Sequence, residues 1–202
     1  MTPGEALDRG MAELGLDLPS QASGQLMRYV GLLEKWNRVY NLTAIREPVE
    51  MVSHHVLDSL AVLAHLPLRP GAALADVGAG AGLPGIPIAI ARPEWRVVLN
   101  DSSEKKIAFL RQAAIELALP NSEVHAGRVE QWTPVEKFGV VISRAFAELA
   151  KLRLLCMHLV APGGVLAAMT AAAPRAERCQ VIRLHVPLLD AERHLVLCPV
   201  EA

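Results

Sequence analysis

The period of apolar positions changes along the chain. Between residues 20 and 66 it is helical. Leu26, Tyr29, Val30, Leu33, Trp36 and Tyr40 recur at three- and four-residue steps, which predicts one long helix starting near Ser20. Val52, Val56, Leu60 and Leu63 make a second stripe over Glu47 to Leu66, with Pro48 suited to its first turn. Residues 3–66 therefore read as helical throughout. Apolar stripes need a partner surface, so residues 1–66 are expected to form a cap on the domain of residues 67–202. Pro67, Pro70 and Gly71 separate the two.

From Ala72 onward short apolar runs alternate with helical stretches. Strands are predicted at Ala72–Val77, Trp95–Asn100, near Ser122–Ala126, at Phe138–Ser143, Val165–Met169, Val181–Val186 and His194–Pro199. A helix with Ile107, Leu110, Ala114 and Leu117 on one face follows the second strand. Another, from Glu148 to Leu159, leads through Pro162-Gly163-Gly164 to the fifth strand. This alternation predicts an α/β fold, a doubly wound and mostly parallel seven-stranded sheet with helices on both faces. The last two strands, joined by a short turn around Asp190, are expected as an antiparallel hairpin at the edge.

The first strand runs into the stretch LADVGAGAGLPG, Leu74 to Gly85, where Gly78, Gly80, Gly82 and Gly85 crowd the turn into the next helix. Glycine admits positive φ and lets a ligand approach the backbone, and the helix beyond presents unpaired N–H groups. Pro84 and Pro87 suit that helix's first turn. Gly80, Gly82 and Gly85 match the dinucleotide spacing G-x-G-x-x-G, but Asp76 argues for a cationic ligand over a pyrophosphate, which its carboxylate would repel. An acid followed by Gly78, Gly80 and Gly82 is the pattern of S-adenosylmethionine-dependent methyltransferases. Asp101, nineteen residues after Gly82, is placed to bind ribose hydroxyls, and Asp101-Ser102-Ser103 can also cap the following helix.

Composition narrows the partners. The chain has 202 residues, 52% hydrophobic and 20% charged, with a formal net charge of −1, so any nucleic-acid contact must come from local patches. Cys156, Cys179 and Cys198 have neither CxxC spacing nor an even count and are expected as reduced thiols in a cytoplasmic protein. No run has membrane-spanning length, and the histidines lack ligand spacing, so neither membrane nor metal is expected.

Several segments together resemble one family. LLEKWNRVYNLTAIRE from Leu32, HHVLDS from His54, DVGAGAGLPGIPIAIARPE from Asp76, ISRAFA from Ile142 and ERHLV from Glu192 are similar to the GidB or RsmG family of bacterial 16S ribosomal RNA guanine-N7 methyltransferases. The resemblance spreads over nearly the whole chain. It implies a class I, Rossmann-like methyltransferase sheet with an N-terminal helical extension and S-adenosyl-L-methionine as cofactor. The substrate it implies is a guanine in the decoding-region loop of 16S ribosomal RNA, in the small ribosomal subunit or its precursor. The chain is expected to act as a monomer. Carried over by position, Gly78, Leu83, Val129, Glu130 and Arg144 would contact the cofactor, together with Asp76, Gly80, Gly82, Asp101 and Ser102 from the residue reading. Arg144 would also be the catalytic residue, and His54, His55, Phe146 and Arg193 would face RNA. Three features depart from the family. Thr170-Ala171 stands where Lys-Gly is usual, His54 where Arg or Lys is usual, and the link from the fifth strand to the sixth is short.

Methyl transfer to a base nitrogen is an in-line displacement that asks mainly for alignment and exclusion of water. Ser143-Arg144-Ala145-Phe146 offers neither the Asn-Pro-Pro-Tyr loop of exocyclic-amine chemistry nor the Pro-Cys pair of cytosine C5 chemistry, and guanine N7 needs neither. Two other functions stay open at this point: a nicotinamide-dinucleotide oxidoreductase, and an inactive relative that only binds RNA or the ribosome.

Overall fold

The structure, a computed structural model, describes residues 1–67, 69, 71–144 and 148–201. Seven strands, β1 (Ala73–Val77), β2 (Arg96–Asp101), β3 (Ser122–Ala126), β4 (Phe138–Arg144), β5 (Val160–Thr170), β6 (Gln180–Arg183) and β7 (His194–Pro199), form one sheet in the order β3-β2-β1-β4-β5-β7-β6. The first five pair in parallel, and β7 runs antiparallel to both β5 and β6. The alternating sheet faces bury different layers. Leu74, Val97, Leu99, Val140 and Ile142 join an apolar cluster that reaches Leu7, Leu26 and Val56 near the N-terminus. Ala75, Val98, Val141 and Leu166 join Leu152, Cys156 and Trp132 on the opposite face.

The first layer holds α1 (Pro3–Leu14), α2 (Ala22–Tyr40), α3 (Pro48–Met51), a π-helical segment (Val52–Leu57), α4 (Asp58–Leu60), α5 (Gly85–Ala91) and α6 (Glu104–Glu116). α1 starts where the sequence supplies a capping box: the Thr2 hydroxyl accepts from the Glu5 N–H, and the Glu5 carboxylate accepts from the Thr2 N–H. α7 (Leu149–Cys156) and a 3₁₀ turn (Met157–Leu159) cover the other face.

Four expectations are corrected. The N-terminal region is not helical throughout. Asn41 ends α2 in the left-handed conformation, and the Asn37 side chain then holds a loop by accepting from the Thr43 N–H and donating to the Ile45 carbonyl. The second helical stretch is interrupted by the π-helical turn, which a 3.6-residue pattern does not reveal. Strand β5 begins at Val160, because Pro162-Gly163-Gly164 is an irregularity inside the strand rather than a loop before it. A Cβ on Gly164 would crowd the carbonyls of Ala161 and Gly139, so this crossing admits only glycine. Finally, Cys179 and Cys198 form a disulfide, with only Cys156 free. The register that pairs Gln180 with Leu197 brings the two cysteines side by side, with 4.3 Å between their Cα atoms, and no spacing motif encodes that register.

Candidate active site

The glycine loop leaves β1 with Gly78, Gly80 and Gly82 at φ of 69°, 59° and 84°, a region that side chains rarely enter. Two of its glycines serve packing. A Cβ on Gly82 would collide with Ile86, and one on Gly85 with Leu99 and Asp76, so their absence lets α5 settle on the sheet. Asp76 is fully buried beneath this loop, and its Oδ2 accepts from the Gly85 N–H at 2.7 Å. Burial pushes its carboxyl up to about 7, against the pull of the Gly85 N–H and of Arg144. The expected cation ligand is thus placed as the tether of α5, and Asp76, Gly82 and Leu83 line neither cavity described below. From the other side, the buried Tyr29 hydroxyl donates to the Ala81 carbonyl at 2.8 Å.

Beside the loop, at the carboxyl edge of β1 and β2, lies a cavity of about 390 Å³. Gly78, Asp101 and Ser102 form one side, and Val129, Glu130 and Lys151 another. Asp101 lines this cavity and ties the glycine loop to the start of α6. Its Oδ2 accepts from the Gly80 N–H at 3.0 Å, with Lys106 Nζ at 3.6 Å, and its Oδ1 accepts from the Ser103 N–H at 2.9 Å where α6 starts. The structure therefore brings together Gly78, Asp101, Ser102, Val129 and Glu130, with Gly80 hydrogen-bonded to Asp101. Sequence reasoning missed Asn100. Its side-chain amide donates to the carbonyls of His125 and Gly127 and so anchors the loop that carries Val129 and Glu130. Its signal was a polar residue directly before the strand-end acid. Lys151, from α7, gave none.

A second cavity of about 370 Å³ opens at the ends of β4 and β5. Arg144 ends β4 and lines this cavity rather than the first one, to which its expected cofactor contact had assigned it. Its Nη1 donates to the His54 carbonyl at 3.0 Å and to Asp58 Oδ2 at 3.2 Å. Arg193, just before β7, places Nε 3.3 Å from the other oxygen, Asp58 Oδ1. Asp58 is 2% exposed. Burial raises its carboxyl above the ordinary carboxylate range, and the two guanidiniums oppose that shift. His55 places Nε2 2.7 Å from the Thr43 hydroxyl, and burial together with Arg144 lowers its imidazole to about 4, so it is neutral at physiological pH.

His54, His55, Arg144 and Arg193 thus meet at one site, with Met169 and Thr170 from β5 on its wall. Phe146 lies outside the described residues. Asp58 was missed as a site residue, although an acid amid the stripe Val52, Val56, Leu60 and Leu63 was the available signal. Among the described residues, no group of histidine, cysteine and acidic side chains is arranged to hold a metal ion.

A parallel sheet with an antiparallel β7 inserted beside β5, and a glycine loop after β1 flanked by a strand-end acid on β2, define a class I methyltransferase fold. Solved structures agree. The chain superimposes on a SAM-dependent methyltransferase from Aquifex aeolicus with a TM-score of 0.58 at 15% identity, covering 83% of this chain and 98% of that one. It superimposes on precorrin-6y C5,15-methyltransferase from Geobacter metallireducens with a TM-score of 0.52 at 10% identity, covering 69% of this chain and 85% of that one. At such identities these matches speak for the fold alone.

The family follows from sequence. Residues 22–192 match the model of GidB, rRNA small subunit methyltransferase G. Ribosomal RNA small subunit methyltransferase G of Laribacter hongkongensis is 52% identical, over 95% of this chain and 96% of that protein. Its counterpart in Methylobacillus flagellatus is 48% identical, over 96% and 97%. The chain belongs to the GidB family.

Proposed function

We propose that this protein transfers a methyl group from S-adenosylmethionine to N7 of a guanine in the decoding-region loop of 16S ribosomal RNA. Family membership supports S-adenosylmethionine-dependent methylation of small-subunit ribosomal RNA. The observation that carries the finer reading is the adjacency of two unlike cavities at one edge of the sheet. One has the strand-end acid and backbone groups that suit an adenosine, and the other has the donors and the carboxylate that suit a base.

The first cavity fits the cofactor on its own chemistry. The Asp101 carboxylate lines it and can accept from ribose hydroxyls, while Val129 and Leu155 give apolar contact for a base. S-adenosylmethionine, when bound, supplies a methyl group on a positively charged sulfur. The protein's own work is to hold the acceptor in line and keep water out. Guanine N7 uses an in-plane lone pair and loses no proton on methylation, so the site needs no general base. The neutral, hydrogen-bonded His55 agrees with that requirement. In this reading residues 1–66 form a cap domain whose π-helical turn walls the base site, and residues 67–202 hold the cofactor. The partner would be the small ribosomal subunit or its precursor, and the chain would act as a cytoplasmic monomer. Among the described residues no helix is long and apolar enough to cross a membrane.

The test is tritiated methyl incorporation into small subunits from cells lacking this protein, followed by mapping of the modified base. Methyl at guanine N7 is the expected result. Incorporation at another base or atom, or none, refutes the reading. A nicotinamide cofactor that raised the melting temperature where S-adenosylmethionine did not would favour the oxidoreductase instead.

A further inference from the structure

We propose that Asp58 and Arg144 act together as the reader of the acceptor base, and that they select guanine by its Watson–Crick edge. The inference rests on the reading above and assigns its specificity to a residue pair. Asp58 presents a carboxylate, an acceptor only, and Arg144 presents a guanidinium, a donor only. They lie side by side on the wall of the second cavity, 3.2 Å apart. Guanine carries the complementary order, with the O6 acceptor next to the N1–H and N2–H donors. Adenine carries a donor at N6 and an acceptor at N1, so each of its groups would face its own kind. An adjacent donor and acceptor on the wall thus distinguish the two purines without touching N7, which stays directed toward the methyl donor.

Three further observations point the same way. Asp58 Oδ1 is buried and has no hydrogen-bond partner among the described residues, although Arg193 Nε lies 3.3 Å away. A buried carboxylate oxygen without a donor is costly, and a base N–H would relieve it. Ala44, Ile45, Met169 and Ala171 give the cavity an apolar portion of wall for a purine, beside the polar Thr43, His54, His55, Thr170 and Arg193, and its volume of about 370 Å³ admits one. The cluster is also pinned from three directions: the Arg144 guanidinium is held by the His54 carbonyl, Asp58 by two cations, and His55 by Thr43. Pinned groups need no reorganisation when a ligand arrives.

The arrangement also favours the reaction. When N7 takes the methyl group, its lone pair becomes the new N–C bond, the S–C bond to that methyl breaks with its electron pair staying on sulfur as a neutral thioether, and the positive charge passes from sulfur to the base. The N1–H and N2–H groups of a cationic guanine are stronger donors than those of the neutral base. The bond to Asp58 therefore strengthens as the methyl moves, which is the kind of interaction that raises kcat rather than affinity. Adenine bound in the same place would gain nothing from the carboxylate.

The experiment has two arms. In the first, Asp58→Asn is assayed on small subunits lacking the modification, with S-adenosylmethionine affinity measured separately by calorimetry and folding by thermal melting. The proposal expects kcat to fall by about 100-fold or more while cofactor affinity stays within about threefold. Unchanged kcat, or a fall matched by equal loss of cofactor affinity, overturns it and leaves Asp58 as a clamp for the two arginines. The second arm needs no variant and serves if Asp58→Asn does not fold. Guanosine, inosine and adenosine 5′-monophosphates are titrated into the wild-type protein saturated with S-adenosylhomocysteine. Guanosine monophosphate should bind about tenfold or more tightly than adenosine monophosphate, with inosine monophosphate, which lacks N2–H, between them. Equal binding of the three, or binding of none, overturns the proposal. Neither result would touch the proposed function, which fails only if the wild-type protein does not methylate guanine N7.

Discussion

The two cavities share one edge of the sheet but are built in opposite ways. The first is local at its centre: the glycine loop, Asn100 and Asp101 come from the ends of two adjacent strands, and the turn at residues 128–130 with Lys151 and Leu155 of α7 completes the lining. The second is assembled from Asp58, Arg144 and Arg193, three charged side chains far apart in sequence that meet only when the cap closes on the sheet. A local site tolerates loss of one side chain because its backbone remains. A site made of mutually dependent charges does not, since removing one partner leaves another buried and unpaired.

The sharpest way to break this comparison is Arg144→Ala. Methyl transfer should fall by about 1000-fold, the scale of losing a preorganised donor at a reacting centre. Asp58, left with Arg193 as its remaining cation, should lower stability by about 2 kcal/mol, below the value for breaking a wholly buried pair because the Arg144 side chain is 22% exposed. Single-turnover kinetics and chemical denaturation measure the two separately. Activity and stability close to wild type would mean that the second cavity is not where the base is held.

Asp101→Ala is the matching change in the first cavity. It should weaken S-adenosylmethionine binding by about 1.5–3 kcal/mol, because a charge-assisted acceptor is lost. The rate at saturating cofactor should remain within a few-fold of wild type. Calorimetry gives the affinity, and an unchanged value removes Asp101 from the cofactor site. A smaller effect is expected from Tyr29→Phe, which leaves the Ala81 carbonyl without its buried donor while filling the same space. About 1–2 kcal/mol of stability should be lost. Cofactor affinity should fall a few-fold, since the cap's hold on the glycine loop is cut. No change in affinity would show that the loop keeps its shape without the cap.

The same contrast explains what the sequence made legible. The sheet could be read because β1, β2, β4, β5 and β7 are apolar runs between turn residues, while the polar edge strand β3, SEVHA, is placed by the alternation of strand and helix around it. The first cavity could be read because glycines and a strand-end acid announce themselves within a short stretch. Asp58 could not, since its partners sit at residues 144 and 193 and its own helical stripe looks merely interrupted. Asp76 is ambiguous for a related reason: an acid at a strand end can face a ligand or the next helix, and the packing of Gly85 against it ties one of its oxygens to the helix. The disulfide and the early start of β5 depended on register, which pattern alone leaves undetermined.

The smallest expected effect is a cancellation between the two regions. His55, in the second cavity, has its imidazole lowered from 6.5 to about 4, chiefly by burial. The unfolded chain then binds a proton at this residue below about pH 6.5 that the folded chain refuses until about pH 4. Stability from His55 is complete above 6.5 and is lost as pH falls toward 4. Asp76, beneath the glycine loop, has its carboxyl raised from 3.8 to about 7, again chiefly by burial. Here the folded chain holds a proton that the unfolded chain releases, so stability is complete below 3.8 and is lost as pH rises toward 7. Between pH 4.5 and 6.5 the two slopes have opposite sign and similar size, about 1.4 kcal/mol per pH unit each. Asp58, raised by burial, acts in the same sense as Asp76, and His125, lowered by burial, in the same sense as His55. The wild-type protein should therefore show nearly flat stability across that interval. Asp76→Asn removes one slope, so stability should rise with pH as His55 alone dictates. His55→Gln removes the other, so stability should fall with pH. Denaturant unfolding of all three proteins from pH 4.5 to 6.5 measures the slopes, and parallel curves for the two variants would show that neither burial carries the electrostatic cost assigned to it.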